Sequence, residues 1–252
     1  MISRVLFFVA AVLITVAGCS KEDHLEGVPS GELKKTAEYK LNIKETSGLA
    51  FGPEQKTLLT VSDQTGKIYE LDLQGNILRK LSFEGDDLEG VTFNEENQMI
   101  VVVEERKREV VMIDYQSGKE MNRYKINIEE NSENKGLEGI AWDSQNERYF
   151  LINEKDPSLL LKWHPETGIE QTESLLLGND NSGLFFDGEN GILWVLSDES
   201  KALYQCDPDG NVTKQYSLNI HKPEGVAVDL THQKIYIVRD LFSKLFVFDL
   251  VR

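Results

Sequence analysis

Short apolar runs of four to six residues alternate with polar turns along most of the chain, from about residue 36 to the C-terminus. These runs are rich in Val, Ile, Leu and aromatic residues and are too short for typical helices, which favours strands. Residues 58–61 and 68–72 illustrate two such runs, joined by a turn that contains Gly66. The pattern therefore predicts an all-β protein built from many short strands.

A motif of an acid or a serine, then glycine and three mostly apolar residues, occurs five times in these runs. Its glycines are separated by 42, 49, 44 and 42 residues, and they are Gly48, Gly90, Gly139, Gly183 and Gly225. An acid follows every glycine fifteen positions later, and these acids are Asp63, Glu105, Glu154, Asp198 and Asp240. Four short strands per unit at this spacing predict a β-propeller.

The two ends of the chain predict how the ring closes. The fifth unit ends after three strands, and residues 38–43 near the N-terminus resemble residues 215–220, a fourth strand. An N-terminal strand that completes the last blade would hide two sheet edges. We therefore expect a single five-bladed β-propeller of four-stranded blades over residues 36–252. A six-bladed ring, the alternative, would need a further blade that the repeat does not supply.

Composition agrees with one large domain and narrows the partners. The 252 residues are 40% hydrophobic, which is enough to bury a core and excludes a disordered chain. Lys and Arg number 27 against 43 Asp and Glu, so the formal charge is −16. Such a surface repels phosphate backbones, so we expect no nucleic-acid partner, and cations or basic ligands fit better. Two cysteines are too few for a disulfide framework, and we expect a monomer.

The N-terminal residues carry a separate signal. A short positive segment precedes an apolar run at residues 5–16, which is too short to span a membrane, and small residues then lead to Cys19. This arrangement resembles the lipobox of bacterial lipoproteins. The resemblance implies a signal peptide at residues 1–18, acyl chains such as palmitate on Cys19, and a flexible tether at residues 19–35. The alternative is an uncleaved signal with an incidental cysteine.

The residues after Cys19 indicate where in the cell the protein is expected. Ser20 is not the aspartate associated with retention in the inner membrane, which favours the outer membrane in a host that has two membranes. Residues 20–23 also resemble the surface-export signal of Bacteroidetes lipoproteins. The protein is therefore expected in the cell envelope, held by its lipid, and either periplasmic exposure or exposure at the cell surface remains open.

The repeated segments also point to a family. Residues 47–51 (SGLAF), 88–93 (LEGVTF) and 136–142 (GLEGIAW), the leader and the chain length resemble the SdiA-regulated family of bacterial membrane-anchored propellers. The Trp-Asp and Gly-His signatures of WD repeats are absent from the sequence. The resemblance implies a fold and a membrane address, but no settled biochemical activity.

The repeat predicts where the chemistry lies. The first strand of a blade begins on the face to which the second strand returns, so the residue before each glycine should meet the acid fifteen positions after it. The predicted pairs on one channel rim are Ser47/Asp63, Glu89/Glu105, Glu138/Glu154, Ser182/Asp198 and Glu224/Asp240. They place eight carboxylates at one mouth, with Glu104 and Glu199 as neighbours in sequence that could add to the charge.

So many carboxylates need compensation, because like charges about 4 Å apart repel by about 4 kcal/mol at an effective dielectric of 20. A bound cation, raised pKa values or basic partners could each supply it. Carboxylates suit Ca²⁺ before Mg²⁺, and the ligands we favour are Glu138, Glu154, Asp198 and Glu224. The alternative is a structural ring of ion pairs with neighbouring bases, which are Arg106, Lys155, Lys201, Lys222 and Arg239.

Two functions follow from this rim. The first is a binding module that captures a small ligand or an envelope protein, with Ca²⁺ as the candidate cofactor. The second is a metal-assisted hydrolase like the propeller lactonases, esterases or phytases, with Glu138 or Glu154 as the base. The rim is nearly repetitive, which favours binding, and the residues that break the repetition are Asn153, Asn179, Asn181 and His221. A pure scaffold is a third possibility.

The remaining conspicuous residues are expected to be structural. The sequence has no Gly-x-Ser-x-Gly nucleophile motif, so a serine hydrolase has little support. Cys206 falls in a third strand and is interpreted as a small buried apolar residue. Trp142, Trp163 and Trp194 fall in repeated strands and are interpreted as residues that pack the blades.

Overall fold

The structure, a computed structural model, describes residues 25–128, 136–155, 157–177 and 180–251. The regular structure of these residues is β-strand, apart from a single 3₁₀ turn at Pro53–Gln55. Within the same residues there is no helix with the length and apolar character needed to cross a membrane. The leader, Cys19 and Asn179 lie outside the described residues.

Three sheets each consist of four consecutive antiparallel strands. The first contains β2 (Thr46–Phe51), β3 (Leu58–Ser62), β4 (Lys67–Leu71) and β5 (Ile77–Lys80). The second contains β6 (Leu88–Asn94), β7 (Met99–Glu104), β8 (Glu109–Asp114) and β9 (Glu120–Lys125). The third contains β10 (Leu137–Asp143), β11 (Arg148–Asn153), β12 (Leu159–His164) and β13 (Gly168–Ser174).

The fourth sheet has eight strands and incorporates the N-terminal strand β1 (Ser30–Lys40). One half contains β14 (Asn181–Asp187), β15 (Ile192–Ser197), β16 (Ala202–Cys206) and β17 (Val212–Ser217). The other half contains β18 (Pro223–Asp229), β19 (Lys234–Arg239) and β20 (Lys244–Val251). The order across the sheet is β14-β15-β16-β17-β1-β20-β19-β18.

Hydrogen-bonded pairing between the two halves of this sheet is limited to the start of β1. That strand pairs antiparallel with β20 from Glu32↔Val251 to Lys40↔Lys244. Its parallel pairing with β17 is limited to Ser30↔Gln215 and Gly31↔Tyr216. The N-terminal strand therefore covers the edge of the C-terminal strands, as expected, but it begins at Ser30. The prediction of a flexible tether is thus wrong for residues 30–35.

The first strands of the five repeats form a closed ring. β2 contacts β6, β6 contacts β10, β10 contacts β14, β14 contacts β18, and β18 returns to β2. The second strands beside them are almost wholly buried, and hydrophobic clusters fill the space between neighbouring sheets. The protein is therefore all-β and propeller-like.

The repeated glycines lie where neighbouring first strands approach most tightly. A Cβ atom on Gly225 would lie 2.4 Å from the carbonyl carbon of Gly48, and one on Gly48 would lie 2.4 Å from the Glu89 carbonyl oxygen. A Cβ atom on Gly90 would lie 3.0 Å from the Glu138 carbonyl oxygen. A side chain cannot be accommodated at such separations without moving backbone. The repeated glycines are therefore sites of close backbone approach.

Several residues that the sequence marked as structural are buried in the described fold. Cys206 is 1% exposed, and burial raises the pKa of its thiol to about 12, so the thiol is unreactive. Trp163 and Trp194 are 3% and 1% exposed and pack within the sheets. Trp142 differs, because it is only partly buried and lines a cavity at one end of the ring.

Candidate functional site

Each first strand carries an irregularity next to its repeated glycine. The pairing with the second strand shifts register at this point in all five units. A bulge of this kind takes one residue out of the ladder and redirects its side chain. The residues that precede the glycines at these irregularities are Ser47, Glu89, Glu138, Ser182 and Glu224. In the first unit Ser47 stays paired with Val61 and Gly48 is left out, whereas in the other four units the residue before the glycine is unpaired.

The three glutamates of this set converge at one end of the ring, and we call them the inner glutamates. Burial raises the pKa of Glu89 and of Glu138 well above the ordinary value. The charge of Glu224 raises both values further, and the charge of Glu89 raises that of Glu138. Burial, followed by the charges of Asp198 and Asp240, raises the pKa of Glu224 to about 8. Such mutual effects require proximity, so the glutamates share one mouth.

The two serines of the set serve different partners. The Ser47 hydroxyl donates a hydrogen bond of 2.6 Å to Glu89 Oε2, which opposes the rise in the glutamate's pKa. The Ser182 hydroxyl instead donates a hydrogen bond of 2.6 Å to the carbonyl oxygen of Pro223, in the next repeat. Ser47 therefore belongs to the electrostatics of the mouth, whereas Ser182 joins two neighbouring first strands.

The acids fifteen positions after the glycines lie at the same end of the ring. In every unit their backbone N–H donates to the carbonyl of the residue three positions before the glycine, at 3.0 to 3.3 Å. These donor and acceptor pairs are Asp63/Glu45, Glu105/Asp87, Glu154/Gly136, Asp198/Asp180 and Asp240/Lys222. The bond closes the second strand against the start of the first strand. We call these acids the outer acids.

The outer acids reach across to the next repeat. The Gly136 N–H donates to Glu105 Oε1 at 3.2 Å, and the Lys222 N–H donates to Asp198 Oδ1 at 2.8 Å. The side chain of Asp63 likewise shares a hydrogen bond with that of Asp87. The side chain of Glu154 also shares a hydrogen bond with that of Asp180. Four of the five outer acids therefore contact the residue that lies three positions before the repeated glycine of the next repeat. These contacts join neighbouring sheets.

Asp87 and Asp180 are site residues that sequence analysis missed. Burial and the neighbouring Asp87 raise the pKa of Asp63 to about 6 and that of Glu105 to about 7. Burial and the neighbouring Glu154 raise the pKa of Asp180 to about 6. Both aspartates stand three positions before a repeated glycine, and that constant offset is the signal that could have revealed them.

Two groups of three carboxylates have the spacing of a metal site. The first contains Asp63, Asp87 and Glu89, and the second contains Glu105, Glu138 and Glu154. Within each group, carboxylate oxygens lie within 4.8 Å of one another. The second group includes two of the four predicted metal ligands, Glu138 and Glu154. The other two, Asp198 and Glu224, are in neither group.

Basic residues compensate the periphery of the mouth. Arg106 forms an ion pair of 3.0 Å with Asp87, and Lys222 forms one of 3.4 Å with Asp240. Lys155 pairs with Glu154 and lies 4.0 Å from Asp180. In the part of the chain that the structure describes, no Lys or Arg forms an ion pair with an inner glutamate. The structural ion-pair interpretation therefore fits the periphery and leaves the centre uncompensated.

The other bases and acids predicted for the rim have different surroundings. The guanidinium of Arg239 lies over the rings of Phe242 and Phe246, at 5.8 and 5.4 Å. Glu104 is fully buried and pairs with Arg123 at 2.8 Å and with Lys107 at 3.0 Å. Its expected contribution to the acidic mouth is therefore wrong, because its charge is satisfied inside its own sheet. Lys201 and Glu199 form no ion pair with another described residue.

The residues that break the repetition mainly organise loops. The Asn153 side chain donates to the Pro157 carbonyl at 2.8 Å, and the Asn181 side chain donates to the Ser158 hydroxyl at 3.0 Å. His221 lowers the pKa of Asp198 through its charge, against the larger effect of burial. Asn153 and Asn181 therefore hold the segment before β12 and do not supply an evident catalytic group.

These observations define an all-β, propeller-like protein with carboxylates clustered at one end of its ring of first strands. The model of the SdiA-regulated family matches residues 33–248, and the chain belongs to that family. The resemblance found in the sequence is thereby confirmed.

Two solved structures are similar to this chain in fold. Glutaminyl cyclase from Myxococcus xanthus gives a TM-score of 0.68 at 15% identity, over 89% of this chain and 100% of that chain. The β-propeller domain of Myceliophteria thermophila Cps50 (Swd1) gives a TM-score of 0.50 at 10% identity, over 81% of this chain and 65% of that chain. At these identities the likeness concerns the fold alone.

Proposed function

We propose that this protein is a lipid-anchored binding module of the cell envelope, whose acidic mouth binds a cation, with Ca²⁺ as the first candidate. We further propose that its fold is a five-bladed propeller, in which the eight-stranded sheet represents two blades. The closed ring of five first strands supports that count, as does the limited pairing between β1 and β17.

The observation that carries the cation site is the group formed by Glu105, Glu138 and Glu154. Their carboxylate oxygens lie within 4.8 Å of one another. Oxygens bound to one Ca²⁺ at about 2.3 to 2.6 Å would fall within roughly 5 Å of each other, so the spacing suits this ion. Three carboxylates also match its preference for several oxygen ligands. The uncompensated inner glutamates give the ion an electrostatic reason to bind.

Thermal unfolding of the unacylated chain from Ser20 onward tests this proposal. We expect Ca²⁺ at about 100 times its dissociation constant to stabilise the protein by about 2.7 kcal/mol relative to EDTA. For a domain of this size the midpoint should rise by roughly 5 to 10 °C. Glu138→Gln should abolish the rise, and Glu166→Gln, on the exposed turn before β13, should retain it. A rise that survives Glu138→Gln, or no rise at all, would contradict a cation site here.

A metal-assisted hydrolase is the second candidate. Burial and Asp87 raise the pKa of Glu105 to about 7, so this carboxyl can take up or release a proton near neutral pH, as a general base must. Its fold is similar to that of an enzyme, glutaminyl cyclase. Turnover of generic lactone, ester or phosphoester substrates with Ca²⁺ present, lost in Glu105→Gln, would favour this function. Calcium binding without turnover would favour the binding module.

The membrane anchor rests on the lipobox and is a separate proposal. We expect labelled palmitate to be incorporated in bacteria that express the full chain, and Cys19→Ser to abolish the label. Fractionation should then place the acylated protein in the outer membrane, and protease treatment of intact cells should distinguish surface from periplasmic exposure. Labelling that persists in Cys19→Ser would contradict this anchor.

A further inference from the structure

The ring of first strands encloses a second opening, at the end opposite the acidic mouth. A cavity of about 660 Å³ lies there. Its wall comes from residues one to three positions after the repeated glycines, which include Leu49, Phe51, Val91, Phe93 and Trp142. The volume lies in the range of sites for small organic molecules, and the cavity combines these apolar and aromatic residues with polar residues around its opening.

One residue makes this cavity asymmetric. Two positions after the repeated glycine, the other four repeats carry alanine or threonine, whereas the fourth repeat carries Phe185. The Phe185 ring lies 6.1 Å from the ring of Phe51 at an interplanar angle of 82°. Because β14 and β2 are not neighbours in the ring, this contact spans its interior. Phe185 thus gives the cavity an aromatic floor that repetition alone does not supply.

The rim of the cavity is acidic. Its four acids are Glu95, Glu96, Asp187 and Glu189, and no Lys, Arg or His is among the described residues that line it. Glu95 accepts a 2.8 Å hydrogen bond from the Glu54 N–H, and Asp187 accepts bonds from its own turn. In the described part of the chain, the carboxylates of Glu96 and Glu189 form no hydrogen bond or ion pair. Two carboxylates therefore face this opening without a basic partner.

We propose that this cavity binds an organic cation, an amine or guanidinium group carried on an apolar body. The apolar wall would bury the body, while aromatic faces and the carboxylates of Glu96 and Glu189 attract the positive group. An anion with the same body would meet four acids and no basic residue among the described lining residues, in a protein whose formal charge is −16. The site is distinct from the acidic mouth, since the two lie at opposite ends of the same strands.

Three probes with one apolar body test the proposal by calorimetry: 4-phenylbutylammonium, 4-phenylbutanol and 4-phenylbutyrate. We expect the ammonium compound to bind about tenfold more tightly than the alcohol, and the carboxylate to bind most weakly. The double variant Glu96→Gln/Glu189→Gln should weaken the ammonium compound roughly threefold to tenfold and leave the alcohol unchanged. The control Glu32→Gln/Glu166→Gln removes the same net charge from exposed positions elsewhere and should change neither.

Two further variants locate the site. Phe185→Leu should weaken the ammonium compound and the alcohol alike, because both rest their apolar body on this ring. Glu138→Gln, at the acidic mouth, should leave the affinity of all three probes unchanged. The proposal is overturned by equal affinity for ammonium and alcohol, by an unchanged affinity in the double variant, by loss of binding in Glu138→Gln, or by no binding up to about 10 mM. None of these results bears on the Ca²⁺-dependent rise in the unfolding midpoint. The proposal for this cavity and the proposal for the acidic mouth are therefore tested independently.

Discussion

The two ends of the central ring are made from the same five strands, yet they differ in chemistry. At the acidic mouth, bulges and glycines recur in every repeat, and the side chains they redirect are acids or serines. At the opposite end the equivalent positions vary from repeat to repeat, and Phe185 stands where the others are small. A residue that recurs in every repeat can be explained by a structural role in closing the ring. A residue that departs from the repeat needs a local explanation, and that makes it the better guide to a ligand.

The mouth itself divides in the same way. Outer acids accept hydrogen bonds from the neighbouring repeat and so connect the sheets, and two of them form ion pairs, Glu154 with Lys155 and Asp240 with Lys222. The inner glutamates have no basic partner in the described chain, and burial raises their pKa values. We therefore expect the periphery of the mouth to contribute to stability, and we propose its centre as the binding site.

The largest effect on stability should come from disrupting the close approach of the first strands, on which both ends of the ring depend. Gly225→Ala places a Cβ atom 2.4 Å from the backbone of Gly48, so the ring must shift. We expect a loss of at least about 3 kcal/mol of unfolding free energy in chemical denaturation. Gly183→Ala, where the nearest atom would be 3.1 Å away, is the graded control and should cost less. Equal costs would show that close approach does not explain the repeated glycine.

The pH dependence of stability should separate the inner glutamates from the outer acids. The folded protein holds a proton on Glu224 up to a pKa of about 8, against 4.5 ordinarily. The stabilisation that this proton gives to the folded state is therefore complete below about pH 4.5 and is lost as the pH rises through about 8. The loss in unfolding free energy is on the order of a few kcal/mol. In EDTA we expect the unfolding midpoint to fall by roughly 5 to 10 °C between pH 5 and pH 8.5.

Glu224→Gln should make this profile shallower, because the amide cannot ionise and only the other raised carboxyls still titrate. Glu166→Gln, exposed at an outer turn, should keep the wild-type slope. A midpoint that falls as steeply in Glu224→Gln as in the wild type would place the titration on other groups.

Calcium binding should release protons if the ion occupies the carboxylate group of Glu105, Glu138 and Glu154. The pKa of Glu105 is raised to about 7, and that of Glu138 is also raised, so at pH 6 the ion must displace protons. We expect the affinity to rise with pH, by up to about tenfold per pH unit for each proton released. Calorimetry in buffers of different ionisation enthalpy measures directly the number of protons released when Ca²⁺ binds. An affinity that does not change between pH 6 and pH 8 would contradict ligation by these carboxyls.

The smallest effect should come from the two serines, which form a matched pair. Each hydroxyl makes one hydrogen bond of 2.6 Å, so Ser47→Ala and Ser182→Ala should each cost about 1 kcal/mol of stability. Only Ser47→Ala removes a bond that holds the Glu89 pKa down, so only this variant should raise that pKa further. Identical pH profiles in the two variants would separate Ser47 from the electrostatics of the mouth.

The sequence by itself determined the features that depend on regular spacing. Constant offsets from the repeated glycines predicted the strands and the shared end of the rim residues, because each repeat must fold in the same way to stack on its neighbour. The missing fourth strand of the last unit and the resemblance of residues 38–43 to residues 215–220 predicted the closure by β1.

Tertiary structure determined the contacts that residue spacing cannot predict. β1 begins at Ser30 because β20 offers an edge to pair with, although residues 30–35 show no apolar periodicity of their own. Glu104 and Glu105 are adjacent in sequence but have different partners, since successive residues in an extended chain point to opposite sides. Asp87 reaches the mouth through contact with the preceding repeat, and Phe185 crosses the ring to Phe51. Each of these placements depends on a partner distant in sequence, and only the packed ring brings that partner near.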